Sequence, residues 1–85
     1  MLGASKTTGA DVQQRFGERV RDLRQRLGIS QEELAHRAAL DRTYISSLER
    51  GHRNVALVNI CRLAAALSVD PGELLSGLPT PTRPA

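Results

Sequence analysis

Between Asp41 and Leu48 the chain sets Arg42, Thr43, Ser46 and Ser47 around two apolar residues, Ile45 and Leu48. On a helix, Ile45 and Leu48 share a side that turns inward, leaving a guanidinium and small hydroxyls outside. An arginine fork matches guanine O6 and N7, a bidentate contact worth roughly 1–3 kcal/mol of discrimination, and a threonine offers either a hydroxyl or a methyl group to set against thymine. Ser46 and Ser47 are small enough to let such a helix approach closely. Each has a plainer reading: Arg42 as a solvated first-turn cation, the serines as ordinary surface residues.

Catalytic chemistry finds no comparable set. The 85 residues hold no paired carboxylates, nucleophile–base pair, phosphate loop or metal-spaced Cys/His cluster, so neither an enzyme nor a metal or other cofactor is expected. His36 and His52 have no ligand partner nearby, and the single Cys61 cannot close a disulfide within the chain. Aromatic residues make up 2% of the sequence, with Phe16 and Tyr44 alone, so the core must be aliphatic and stacking platforms for single strands are not expected. Twelve Lys+Arg oppose 9 Asp+Glu, and all the basic residues but Lys6 are arginine, which suits bidentate contact with phosphate or guanine. A GC-rich coding bias gives the same skew. No apolar run nears the ~20 residues of a membrane span, and the first residues lack a signal peptide's apolar region. The expected location is the cytoplasm, with no membrane partner and no small-molecule ligand.

The elements that must carry these residues read as all-α. Residues 1–10 are rich in Gly, Ser and Thr without periodicity, and residues 77–85 are rich in proline, so a single domain is expected over 11–76 between two tails. Phe16, Val20, Leu23 and Leu27 mark a first apolar stripe that Gly28 ends, and Arg15, Arg19, Arg21 and Arg26 around it read as a mostly solvated cationic face. Ser30 with Glu33 reads as a capping box opening a helix from about Gln31 to Ala38, and Asp41 caps a third helix that Gly51 stops. Leu57, Ile60, Cys61, Ala64 and Leu67 line one face of a fourth helix. Asp70-Pro71-Gly72-Glu73 starts a fifth.

A short helix, a tight turn and a second capped helix in a basic all-α domain form the pattern of a helix-turn-helix. The stretch Gly28-Ile-Ser-Gln-Glu-Glu-Leu-Ala-His-Arg-Ala-Ala-Leu-Asp-Arg-Thr-Tyr-Ile-Ser-Ser-Leu-Glu-Arg-Gly51 resembles the Cro/CI-type (xenobiotic-response-element) family. Leu40 to Gly51 followed by Arg53-Asn54 is most similar to the controller proteins of restriction–modification systems. The resemblance spans roughly residues 14–75 and implies a compact five-helix, lambda-repressor-like domain. It implies base contacts from Arg42, Thr43, Ser46, Ser47 and Arg53, and backbone contacts from Gln31, Tyr44, Asn54 and Arg24. Gln31 has a second role open to it, as a buttress for the first base-reading side chain. Tyr44 lies at the backbone or over a distorted step, or else is a half-buried tyrosine packed on the first helix. Arg24 and Glu49 correspond to a partly buried ion pair that sets the angle between helices one and three. Two positions depart from the family: Ala39 stands where the turn commonly has Gly, and Ala56 where helix four commonly has a Ser or Thr cap.

The expected partner is double-stranded DNA carrying a roughly palindromic operator, because one recognition helix reads only a few base pairs and a homodimer reads two half-sites. Val58, Leu63, Leu75 and Leu78 are the expected interface. The implied function is a transcriptional regulator of its own gene and of a neighbouring restriction endonuclease gene, with Glu32 and Glu33 as the acidic patch to meet RNA polymerase. Its rival is an antitoxin-like module that binds a protein through its tail and DNA secondarily.

Overall fold

Side-chain oxygens open four of the five helices. The computed structural model describes residues 6–82 and contains α1 (Gly9–Arg26), α2 (Gln31–Ala38), α3 (Arg42–Glu49), α4 (Leu57–Ala66) and α5 (Pro71–Leu75), with no strand among those residues. Ser30, Asp41 and Asp70 cap α2, α3 and α5, each accepting from a backbone N–H of the first turn. Ala56 supplies α4 with no side-chain cap, in keeping with its missing hydroxyl.

The complete capping box lies at α1. Thr8 Oγ1 accepts from the Asp11 N–H at 3.2 Å, and Asp11 Oδ2 accepts from the Thr8 N–H at 2.8 Å. Helix α1 therefore begins at Gly9, ahead of the expected domain start at residue 11. At α2 only half of the expected box forms. Ser30 Oγ accepts from the Glu33 N–H at 3.0 Å, but the Glu33 carboxylate turns to Arg37 Nε at 2.9 Å.

The core is aliphatic around Phe16: Val20, Leu34, Ile45, Leu48, Leu63 and Leu74 are its largest fully buried side chains. Helix α1 packs on α3 and α5, α2 on α3 and α4, and α4 on α5. Three residues assigned to core stripes are exposed: Leu27 and Leu57, the latter at 71%, and Cys61. Leu63, expected at a dimer interface, is instead wholly buried. With α2 on one side and α5 on another, the inward stripe of α4 includes Leu63 and leaves Leu57 and Cys61 outside. Leu78 is partly buried against the protomer's own core.

Two close approaches set the frame. A Cβ built on Gly17 would lie 2.2 Å from the Leu48 carbonyl oxygen, and one on Gly51 would lie 2.8 Å from the Gln14 Cα. The α2–α3 turn runs through Ala39 in the left-handed region (φ 56°, ψ 43°), so the missing glycine does not change the turn's course. Arg19, expected on a solvated cationic face, donates to the carbonyls of Glu73 and Ser76, the latter at 3.0 Å, and ties α1 to the end of α5. Beyond α5 the chain returns to the start of α1: Thr82 N–H donates to the Thr7 carbonyl at 2.7 Å and Thr7 N–H to Thr82 Oγ1 at 2.9 Å. No helix among the described residues is long and apolar enough to cross a membrane.

Candidate nucleic-acid interface

Glu49 is the last residue of α3, and its side chain is only 3% exposed. A buried carboxylate is costly unless both oxygens find partners. Here Arg24 Nε donates to Oε2 at 2.7 Å, Arg24 Nη2 to Oε1 at 3.0 Å, and Gln31 Nε2 to Oε1 at 3.0 Å. Arg24 Nη1 donates to the Ile29 carbonyl at 2.9 Å. The hydrogen bond to Glu49 raises the Arg24 pKa above its ordinary value against the opposing effect of burial. One planar fork thus joins α1, the α1–α2 loop and α3, while Gln31 adds the first residue of α2. The Gln31 amide nitrogen is thus engaged by Glu49 and not by one of the expected base-reading side chains. Arg24 keeps two N–H groups without a partner among the described residues, on a side chain 11% exposed.

That network holds the opposite face of α3 outward. Asp41 Oδ1 accepts from both the Thr43 N–H at 2.9 Å and the Thr43 hydroxyl at 2.8 Å. These two bonds, the backbone one foremost, hold the Asp41 carboxyl below the usual carboxylate range, with a further contribution from the Arg42 charge. The Thr43 hydroxyl proton is committed to the cap, so this side chain presents a methyl group and acceptor lone pairs. Arg42 is exposed and makes no side-chain hydrogen bond among the described residues.

Both serines hold arginines. Ser46 Oγ accepts from Arg50 Nη1 at 2.9 Å, and Ser47 Oγ accepts from Arg53 Nε at 3.2 Å. The Arg53 guanidinium also lies over the Tyr44 ring, 5.5 Å from its centroid. Tyr44 is half-buried against the core, and its hydroxyl accepts from Asn59 Nδ2 at 3.4 Å. The fold therefore gathers Arg42, Thr43, Tyr44, Ser46, Ser47 and Arg53 at one surface, while Asn54 lies beside it in the exposed loop. Val58 and Leu75 lie elsewhere, exposed at 62% and 41%.

The helix-turn-helix family profile matches residues 20–74. The control protein C.MunI of Mycoplasma sp is 44% identical over 69 residues, covering 80% of this chain and 93% of that protein. The crystal structure of the restriction–modification controller protein C.AhdI from Aeromonas hydrophila superposes with a TM-score of 0.72 at 53% identity, covering 73% of this chain and 94% of that one. The chain belongs to the helix-turn-helix family of restriction–modification controller proteins. The P22 c2 repressor, solved in complex with synthetic operator 9T, shares the fold more distantly, with a TM-score of 0.68 at 34% identity over 73% of this chain and 94% of the repressor.

As a member of this family the chain is a DNA-binding transcriptional regulator of the controller type, not an enzyme. In this helix-turn-helix, α2 and α3 are the paired helices and Ala39 is the turn. Two residues of the surface were missed from sequence. Arg50 lies four residues after Ser46, a helical spacing that could have revealed it. Asn59 carries no local signal, because it reaches Tyr44 from another helix.

Proposed function

We propose that two copies of this chain bind a roughly palindromic operator, each laying α3 in a major groove. The base-reading residues are Arg42, Thr43, Ser46, Ser47 and Arg53. Tyr44, Asn54, the backbone N–H at Gln31 and the remaining N–H groups of Arg24 face phosphates. The observation that carries this reading is the polar outer face of α3, held at a defined angle by the Arg24–Glu49–Gln31 network. A recognition helix needs that combination of fixed orientation and exposed donors.

The proposed dimer surface comprises Val58 and Leu75, with Leu57 added because it is the most exposed large apolar residue among those described. The regulated genes are its own and that of a neighbouring restriction endonuclease, in the cytoplasm. Glu32 is the better candidate for meeting RNA polymerase, because Glu33 is engaged by Arg37. The test is selection from randomised duplex DNA at about 150 mM salt, where non-specific phosphate attraction is weakened, with sedimentation to count protomers per duplex. Enrichment of an inverted repeat bound by two protomers is the expected result. Enrichment of no sequence would refute the operator, and a single protomer per site would refute the dimer.

A further inference from the structure

Arg53, although exposed, is held by two side chains of its own protomer. Its Nε donates to Ser47 Oγ and its guanidinium carbon lies over the Tyr44 ring, while Nη1 and Nη2 make no hydrogen bond among the described residues. Those two nitrogens are the fork that matches two acceptors on a base or a phosphate. A long, flexible side chain held in this way loses less conformational freedom on binding than one that must be ordered at the time. Arg42 has no such support.

The support depends on the Tyr44 ring. Tyr44 is partly buried against the core, but its hydroxyl has one protein partner among the described residues, Asn59 Nδ2 at 3.4 Å, from α4. We propose that Asn59 is a positioning residue for sequence reading: it sets the Tyr44 ring and, through it, the direction of the Arg53 fork. Asn59 lies 15 residues along the chain from Tyr44 and on a different helix from the reading face, so its contribution is to orientation and not to contact with DNA. The inference rests on the proposed operator binding and adds a specificity determinant outside α2 and α3.

The test compares the duplexes selected by wild type, Asn59→Ala, Tyr44→Phe, the double variant and Arg53→Ala, with thermal unfolding of each. Arg53→Ala identifies the base pair that depends on the fork. At that base pair Asn59→Ala is expected to lower preference about two- to fivefold, the lower half of the range of one ordinary hydrogen bond, as suits a 3.4 Å contact, with preferences elsewhere retained. Added to Tyr44→Phe, it should have no further effect. Asn59→Asp, which can accept from the Tyr44 hydroxyl, should restore the preference while its charge weakens binding to all duplexes alike. An Asn59→Ala protein that keeps wild-type preference at that base pair overturns the proposal. So does one that loses affinity equally for every duplex, or one whose loss persists in the Tyr44→Phe background. Failure of wild type to enrich any sequence is a separate result, which removes operator binding itself and this proposal with it.

Discussion

Gly17 lies directly beneath the carbonyl of Leu48, so close that a single methyl group at position 17 would stand 2.2 Å from that oxygen. The contact is between α1 and the backbone of α3, and no rotamer change can relieve it. Gly17→Ala must push the two helices apart, and its expected cost is about 3 kcal/mol, the upper end for overpacking. Urea unfolding checks this, and a midpoint unchanged from wild type would show that the helices separate freely.

Ala39 offers the opposite case. Its left-handed backbone carries an exposed methyl group that packs against nothing in the core. Ala39→Gly relieves a conformational cost of about 1–2 kcal/mol, partly offset by the greater freedom of glycine in the unfolded chain. A net stabilisation of roughly 0.5–1 kcal/mol is expected in chemical denaturation. Ser68, at φ 58° after α4, should respond in the same direction.

Removal of one member of the Arg24–Glu49 pair leaves the other poorly solvated. Arg24→Ala strands a carboxylate with 3% exposure and is expected to cost about 3–5 kcal/mol. Arg24→Met with Glu49→Leu should cost clearly less than the sum of the single changes. A double-mutant cycle with additive losses would mean that the two side chains do not support one another.

Asp41 links the start of α3 to pH. Its folded pKa lies below its ordinary value of 3.8, chiefly because of the Thr43 N–H, so folding favours the ionised form. The stability this contributes is complete above the unfolded pKa and is lost as pH falls through the depressed folded value. Acid titration of wild type against Asp41→Asn should show this component in wild type alone, below about pH 4. Identical acid profiles would remove Asp41 as its source.

Arg42→Ala should relax preference at one base pair by about 1–3 kcal/mol while leaving the others ranked as before. Equal weakening on all duplexes would make Arg42 a phosphate contact.

Much of this arrangement was legible because it is local. Asp41, Ser30 and Asp70 declare helix starts through their own side chains, and the spacing of Ile45 and Leu48 tells which side of α3 turns inward. The Arg24–Glu49 pair came from family resemblance, since 25 residues separate the partners and no periodicity links them. The misreadings lie where a third element decides. The inward side of α4 depends on α2 and α5 both packing against it, which moved Leu63 in and left Leu57 and Cys61 out. Arg19 resembled its neighbouring surface arginines until α5 brought two carbonyls to it. Gly17 gives no sequence signal, because its requirement is the absence of an atom where another helix passes.

The hydrogen bonds between Thr7 and Thr82 bring distant parts of the polypeptide to one corner of the molecule. A short linker between these residues would close the backbone into a ring at small entropic expense, because the distance it must bridge is already spanned. The order in which α1 to α5 follow one another is then separable from the way they pack.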